Sequence, residues 1–237
     1  MQNKIETAFS PALFPLYDTK NSVLVVVDIL RATSVITTMF MNGVKEVIPV
    51  GTIEEAKEYK ARGFYVVAER NGIKLDFADY GNSPYYFTPE AVNDKTFVYS
   101  TTNGTHAISI GKQSKTVIIG SYLNFKAVVD YLVKTKSDVL LLCAGWKDKY
   151  CTEDSLFCGA IADALLKTDK FYTYCDSTNA ARDMWDLAKG DLMAYLEKAA
   201  QRHRLKKIGL DDVIPYCHEF NKTDVIPCFV NDRIVLM

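Results

Sequence analysis

The chain reads as an α/β protein, a mostly parallel sheet with helices on both faces in three layers, forming one domain over residues 1–237. Three observations predict this. Its apolar runs are short, continuous and rich in β-branched residues: Val23-Leu24-Val25-Val26-Val27, Phe64-Tyr65-Val66-Val67, Phe97-Val98-Tyr99 and Val139-Leu140-Leu141-Leu142. Such runs suit strands buried on both faces. Segments of helical period separate them, the mark of βαβ units. Finally, each run stops on polar chemistry: Asp28 with Arg31, Thr33 and Ser34; Glu69-Arg70; Ser100-Thr101-Thr102-Asn103-Gly104; and, beyond Gly145, Glu153-Asp154. Open α/β sheets bind ligands past the carboxyl ends of their strands. These ends are therefore expected to gather a cation and an anion in one crevice.

The elements follow in order. After the run ending at Val27, Ala32, Val35, Ile36, Met39 and Phe40 keep helical spacing, and Gly43 supplies the stop. Glu46 to Val50 is a second strand. Thr52-Ile53-Glu54-Glu55 is a capping box that opens a helix ending near Gly63. Phe64 to Ala68 is a third strand. Asn71 to Pro89 follows as a long irregular stretch rich in Gly, Asp, Asn and Pro, and loops of that length inside a domain are usually functional. Lys95 to Ser100 is a strand, Asn103 to Gly111 a short helix and Lys115 to Gly120 a further strand. Asn124 is expected to cap a helix with Phe125, Val128, Val129, Leu132 and Val133 on one face. Asp138 to Cys143 is the last strand of the main series. A helix from Glu153 carries Leu156, Phe157, Ala160, Ile161, Ala164 and Leu165 on one stripe. A mainly helical region then runs from about Asn179 to about Arg204, with a second start at Asp191, and Val225 to Met237 reads as edge strands turning near Asn231-Asp232.

Composition narrows the function. With 28 basic against 29 acidic residues the formal net charge is -1, which argues against a nucleic-acid or membrane surface built on bulk charge. No apolar stretch is long enough to span a bilayer and the start, Met1-Gln2-Asn3-Lys4, is polar, so a cytoplasmic protein is expected. The six cysteines form no C-x-x-C pair, and the three histidines have no cysteine partners near them in a zinc pattern. Reduced, packed thiols are expected, with His106 and His203 as structural side chains. Missing too are a G-x-G-x-x-G fingerprint, a P-loop and a G-x-S-x-G elbow. Cys175 and Arg182 stand one residue too far apart for a cysteine-phosphatase loop, whose backbone N–H groups must all aim at one phosphate. Asp28-Ile29-Leu30 lacks the second Asp of the haloacid-dehalogenase phosphatases.

What remains is a set of charged and hydroxyl residues at strand ends. Asp28, ending a buried strand, must be paired or bound to a metal. It is either a ligand for a hard cation such as Mg²⁺, or a partner of Arg31, or a helix cap. Arg31 offers a planar fork for phosphate, carboxylate or sulfonate, or is plain surface charge. Glu69-Arg70 repeats the pairing at another strand end. Thr101-Thr102-Asn103-Gly104-Thr105 puts hydroxyls and a glycine before a helix, where free N–H groups favour an anion. Glu153 and Asp154 fall in the first turn of a helix, where the dipole favours acids in any case. Asn82-Ser83-Pro84 either closes over a ligand or is an ordinary turn.

In their joint order, VVVDILRATS with NGVKEVIPV, AERNG, YGNSP, STTNGT, CAGWKDKYCTED and the stretch HRLKKIGLDDVIPYCHEFNKTDVIPCFVNDRIVL resemble the 2-phosphosulfolactate phosphatase (ComB-like) family along nearly the whole chain. Two departures stand out: Ala68 replaces a glycine before the Glu-Arg pair, and the Trp146–Cys151 loop is individual. The resemblance implies Mg²⁺-dependent hydrolysis of 2-phosphosulfolactate to 3-sulfolactate and phosphate, a step toward coenzyme M. It puts Asp28, Arg31, Thr33, Ser34, Glu69, Arg70, Asn82, Ser83, Thr101, Thr102, Asn103, Gly104 and Asp154 at family-patterned positions. From their chemistry Asp28, Arg31 and Arg70 are expected to be catalytic, Thr33, Ser34, Asn82, Ser83, Thr101, Thr102, Asn103 and Gly104 to bind substrate, and Asp28 and Glu69, with Asp154 as third candidate, to be metal ligands. The expected partner is a small phosphoester, with neither nucleic acid nor membrane, and assembly into a homo-oligomer stays open. Two alternatives stand beside this reading: a non-catalytic binder of a small phosphorylated or sulfonated metabolite, and a phosphatase with another substrate.

Overall fold

The computed structural model describes residues 2–237. Its strands are β1 (Asn3–Ala8), β2 (Ser22–Val27), β3 (Glu46–Pro49), β4 (Tyr65–Arg70), β5 (Ile73–Lys74), β6 (Thr96–Ser100), β7 (Thr116–Gly120), β8 (Asp138–Cys143), β9 (Phe171–Tyr172), β10 (Pro227–Val230) and β11 (Arg233–Leu236). The helices are α1 (Ala32–Met41), α2 (Ile53–Ala61), α3 (Pro89–Val92), α4 (Gly104–Ile110), α5 (Phe125–Thr135), α6 (Thr152–Leu166), α7 (Asp176–Ala188), α8 (Leu192–Tyr195), α9 (Ala200–Lys207) and α10 (Ile214–Cys217).

Strand β2 shows why the apolar runs become central strands. All six of its residues are buried. Side chains alternate across a strand, and here Val23, Val25 and Val27 join Val128 and Leu132 of α5 and Phe157 and Ile161 of α6 on one face. Leu24 and Val26 join Val35, Ile36 and Met39 of α1 and Ile108 of α4 on the other. Each such side chain contributes about 1.5–3 kcal/mol when fully buried. A polar residue at either set of positions would open one of the two cores. Helix α1 is buried on every side from Ala32 to Phe40, which explains a sequence with no charged residue. Helix α2 is the contrast: it opens on the expected capping box between Thr52 and Glu55 and buries only Ala56.

The eleven strands form one sheet in the order β5-β4-β6-β3-β11-β10-β7-β2-β8-β1-β9. Strands β4, β6 and β3 pair in parallel, and so do β7, β2, β8, β1 and β9. The hairpin β10–β11 joins these blocks through antiparallel contacts to β7 and β3, the latter through the single pair Ile234–Val47. The two parallel blocks therefore run in opposite senses. Neighbouring strands turn by about 20–25°. Over the five steps from β2 to β6 that amounts to about 100–125°, so the two strand directions stand far from strict opposition.

Four expectations need correction. The C-terminal strands lie at the centre of the sheet, not at an edge: Ile234 is fully buried and Cys228 nearly so, because the hairpin pairs with β7 of one block and β3 of the other. Asn124 does not cap α5 with its side chain; its Oδ1 accepts the Ser121 N–H and its Nδ2 donates to Ile119 and Val225 carbonyls. The helix expected from Asn179 begins at Asp176, stops at Ala188 before Lys189-Gly190, and gives way to α8 and α9. The second start at Asp191 is present, its Oδ1 accepting the Ala194 N–H at 2.9 Å. The stretch from Asn71 to Pro89 holds the short strand β5 and a 3-10 turn at Pro84–Tyr86. In addition, Asn3–Ala8 is a strand between β8 and β9. Its sequence, NKIETA, has no apolar run to announce it.

Candidate active site

At the end of β2 the chain folds back on Asp28. Its N–H donates to Thr33 Oγ1 at 3.0 Å, its carbonyl accepts the Thr33 N–H at 2.9 Å, and its Oδ1 accepts the Ala32 N–H at 3.2 Å. Ser34 Oγ donates to the Ile29 carbonyl. The hydroxyls of Thr33 and Ser34 thus fasten the turn that presents Asp28. Asp28 Oδ2 has no hydrogen-bond partner among the described residues. It lies against the start of α4, where a Cβ on Gly104 would come within 3.0 Å of it and 2.4 Å of the Ala32 Cβ. Only glycine allows that approach.

Glu69, at the end of β4, is 4% exposed and ties two loops together. Its Oε1 accepts the Thr102 N–H at 2.7 Å, while Oε2 accepts the Gly72 N–H and the Thr102 hydroxyl. Thr101 serves the same loop, its Oγ1 accepting the Thr105 N–H. Asp154 does the equivalent work between β2 and β8, Oδ1 accepting the Ile29 N–H at 2.9 Å and Oδ2 the Gly145 N–H at 3.1 Å. Asp28, Glu69 and Asp154 do not make a three-carboxylate cage, and among the described residues no three His, Cys, Asp or Glu side chains are grouped to hold a metal ion.

The two arginines differ sharply. Arg70 spends its fork on the Glu69 carbonyl, the Ser100 carbonyl and the Ser100 hydroxyl. Arg31 is 3% exposed and makes one side-chain hydrogen bond, from Nη2 to the Gly72 carbonyl at 3.0 Å. It takes part in no ion pair among the described residues. A buried guanidinium without a carboxylate partner is costly unless an anion completes it.

Asp28, Arg31, Glu69, Asn82 and Asn103 meet around one recess, together with Leu30, Gly72, Trp146 and Gln201. It encloses about 20 Å³, or about 270 Å³ with its mouth. Asn82 is held by the Tyr99 hydroxyl, which donates to its Oδ1, and Asn103 by the Lys147 N–H. Ser83, Thr33, Ser34, Thr101, Thr102, Gly104, Arg70 and Asp154 stand outside the lining. Larger clefts exist elsewhere, such as the one between α5 and residues 223–226, but none of them gathers buried charge. His106 and His203 are exposed and line no part of the recess. All six cysteines are free.

Sequence reasoning passed over Gln201 and Trp146 as site residues. Gln201 carries no signal in its helix, and Trp146 showed itself only as part of an individual loop.

Burial and the charges of Glu69 and Glu153 push the Asp28 carboxyl up to about 7, against the opposing hydrogen bond from Ala32 and the charge of Arg31. Burial likewise raises Glu153 and Asp154.

A family model described as 2-phosphosulpholactate phosphatase matches residues 8–232. The chain belongs to the 2-phosphosulfolactate phosphatase family. Among relatives named as probable 2-phosphosulfolactate phosphatases, one from Caldanaerobacter subterraneus is 36% identical over 218 residues, 90% of each chain. Another, from Thermotoga maritima, is 38% identical over 212 residues, covering 90% of this chain and 91% of its own. A third, from Clostridium acetobutylicum, is 34% identical over 220 residues, 91% of this chain and 93% of its own. The match to this phosphatase family takes in every residue of the recess. Among the described residues no helix is long and apolar enough to cross a membrane.

Proposed function

We propose that this protein hydrolyses a small, multiply anionic phosphomonoester, 2-phosphosulfolactate, with the help of Mg²⁺. The observation that carries the reading is Arg31, a buried guanidinium that lines the recess with Asp28 and has no ion-pair partner among the described residues. Its free nitrogens suit the oxygens of a phosphoryl group, which a planar fork binds in pairs. Family membership and the names of the relatives support the substrate.

The residues fit a hard cation. Mg²⁺ commonly takes one or two carboxylates plus water and substrate phosphate. Asp28 Oδ2 is unbonded among the described residues, and burial, together with the charges of Glu69 and Glu153, lifts its carboxyl far above the usual range. Glu69 sits beside it with both oxygens already oriented by N–H donors. Mg²⁺ there would withdraw charge from the phosphoryl oxygens and lower the pKa of bound water. The chain's own part is positional. Arg31 grips the phosphoryl group, Asn82 and Asn103 hold polar atoms at the rim, and Glu69 and Asp154 lock the loops that present Asp28. Phosphoryl transfer depends mostly on such positioning and charge stabilisation.

The test is release of phosphate from 2-phosphosulfolactate by the purified protein, with and without chelator, across a panel of small phosphoesters. Turnover that vanishes in chelator and returns with Mg²⁺ is expected. A protein stabilised by the anion equally well in chelator, yet turning over nothing in the panel, is a binding protein. Preference for another phosphoester would replace the substrate.

A further inference from the structure

The substrate proposed above carries a carboxylate and a sulfonate besides its phosphoryl group, so one arginine leaves its tail unmatched. Arg70 cannot supply the second grip, since Ser100 and the Glu69 carbonyl take its fork. A further cation, however, is held against the lining of the recess from far along the sequence. Gln201, 6% exposed on α9, lines the recess and donates from Nε2 to the Leu30 carbonyl at 3.0 Å. Its Oε1 accepts Arg204 Nε at 2.6 Å. The Arg204 guanidinium also lies over the ring of Trp146, 4.6 Å from its centroid, and Trp146 is itself a lining residue. Arg204 is therefore held on two lining side chains, half-buried. Neither Nη atom has a hydrogen-bond partner, and it joins no ion pair, among the described residues. A guanidinium fixed through Nε and one face presents its two Nη groups as a ready fork.

We propose that Arg204, fixed by Gln201 and Trp146, is the specificity-determining arginine that binds the second anionic group of the substrate, a sulfonate or carboxylate on its tail. The inference rests on the phosphatase reading for its assay but makes a separate claim, about the tail rather than the phosphoryl group. Trp146 has a second cation near it, Lys147, whose Nζ is 5.7 Å from the ring centroid and whose side chain is exposed. Removing either changes net charge by the same amount, so Lys147 serves as the control for a mere field effect.

The experiment compares Arg204→Leu, Arg204→Lys and Lys147→Leu on two substrates of the wild-type protein. One is 2-phosphosulfolactate, or whichever acidic-tailed phosphoester the wild type prefers; the other is a phosphoester with a neutral tail, such as phenyl phosphate. A charge-assisted hydrogen bond is worth about 1.5–3 kcal/mol, so Arg204→Leu should lower kcat/KM for the acidic-tailed substrate about tenfold or more, mainly through KM. The neutral-tailed substrate should change by less than about threefold. Arg204→Lys should recover part of the loss, and Lys147→Leu should cost little on either substrate. Equal losses on both substrates would make Arg204 a structural support of Trp146 and Gln201 and overturn the proposal. So would equal effects from Arg204 and Lys147, or no loss at all. A wild type inactive on every phosphoester would instead sink the phosphatase reading. The tail claim then stands on titrating methanesulfonate into wild type and Arg204→Leu, and equal binding by the two would overturn it.

Discussion

Arg31 and Asp28 divide the labour of one turn, and each makes a distinct prediction. Arg31→Lys keeps the charge and loses the fork, so kcat/KM should drop about tenfold or more. The melting temperature should move by no more than about 6 °C, because one hydrogen bond, to the Gly72 carbonyl, is at stake and the lysine can remake part of it. A variant that mainly loses thermal stability would mean that Arg31 is a structural side chain. Asp28→Asn keeps the oxygen that accepts the Ala32 N–H and removes a buried negative charge. Turnover should fall about 100-fold or more. In chelator its melting temperature should be equal to or higher than that of the wild type, since the removed charge was opposed by burial and by Glu69 and Glu153. A large loss of stability in chelator would show that Asp28 works as a cap. Both residues were legible in the sequence as candidates, because a charge at or just beyond the end of a buried strand must find a partner or a ligand. Glu69 was legible for the same reason. Gln201 and Arg204 were not, since a polar residue on a basic helix looks like solvent-facing surface until the fold puts that helix over the site. Arg70 shows the converse: its type and position suggest a ligand, and its hydrogen bonds give it to Ser100.

The elements depend on how closely helix starts approach β2. At Gly104 the first turn of α4 touches both Ala32 and Asp28, with no space for a methyl group. Gly104→Ala should therefore destabilise the protein by about 1–3 kcal/mol and impair activity beyond that, by displacing Asp28. Chemical denaturation together with turnover at a temperature where the variant is fully folded checks both halves; normal turnover there would free Asp28 from this packing. The inner strands β2, β6 and β8 were legible almost to the residue, because burial on both faces demands continuous apolar sequence, whereas β1, also inside a parallel block, was not. Asn3–Ala8 pairs as well as any of them, yet three of its six residues are charged or amide side chains, and its strand character comes from β8 and β9. The break after Ala188 was legible as the second helix start at Asp191, which the structure bears out. The earlier start at Asp176 and the further break between α8 and α9 were not.

At the scale of the whole molecule, the hairpin β10–β11 holds two oppositely directed blocks in one sheet, through contacts that narrow to Ile234 and Val47 on the β3 side. Asp28 belongs to one block and Glu69 to the other, so the recess exists only when the sheet is closed. Ile234→Ala, at a fully buried position, should cost about 2–5 kcal/mol and lower activity in step with stability. Denaturant midpoints measured beside turnover test this, and a cost below about 1 kcal/mol would mean the blocks hold together without the hairpin. Nothing local in Val225 to Met237 announces a central position; short strands with polar turn residues look the same at an edge, and only the pairing of the rest decides. That placement has a consequence for how the protein is made. A ribosome releases the chain from its amino end, so both blocks emerge before the strands that join them. Until residues 227–236 arrive, β3 and β7 each present a row of unpaired N–H and carbonyl groups, the kind of border that recruits other nascent chains. Stalled or truncated synthesis would leave such chains prone to clump, and phosphate release could begin only after the final strand had been translated and seated.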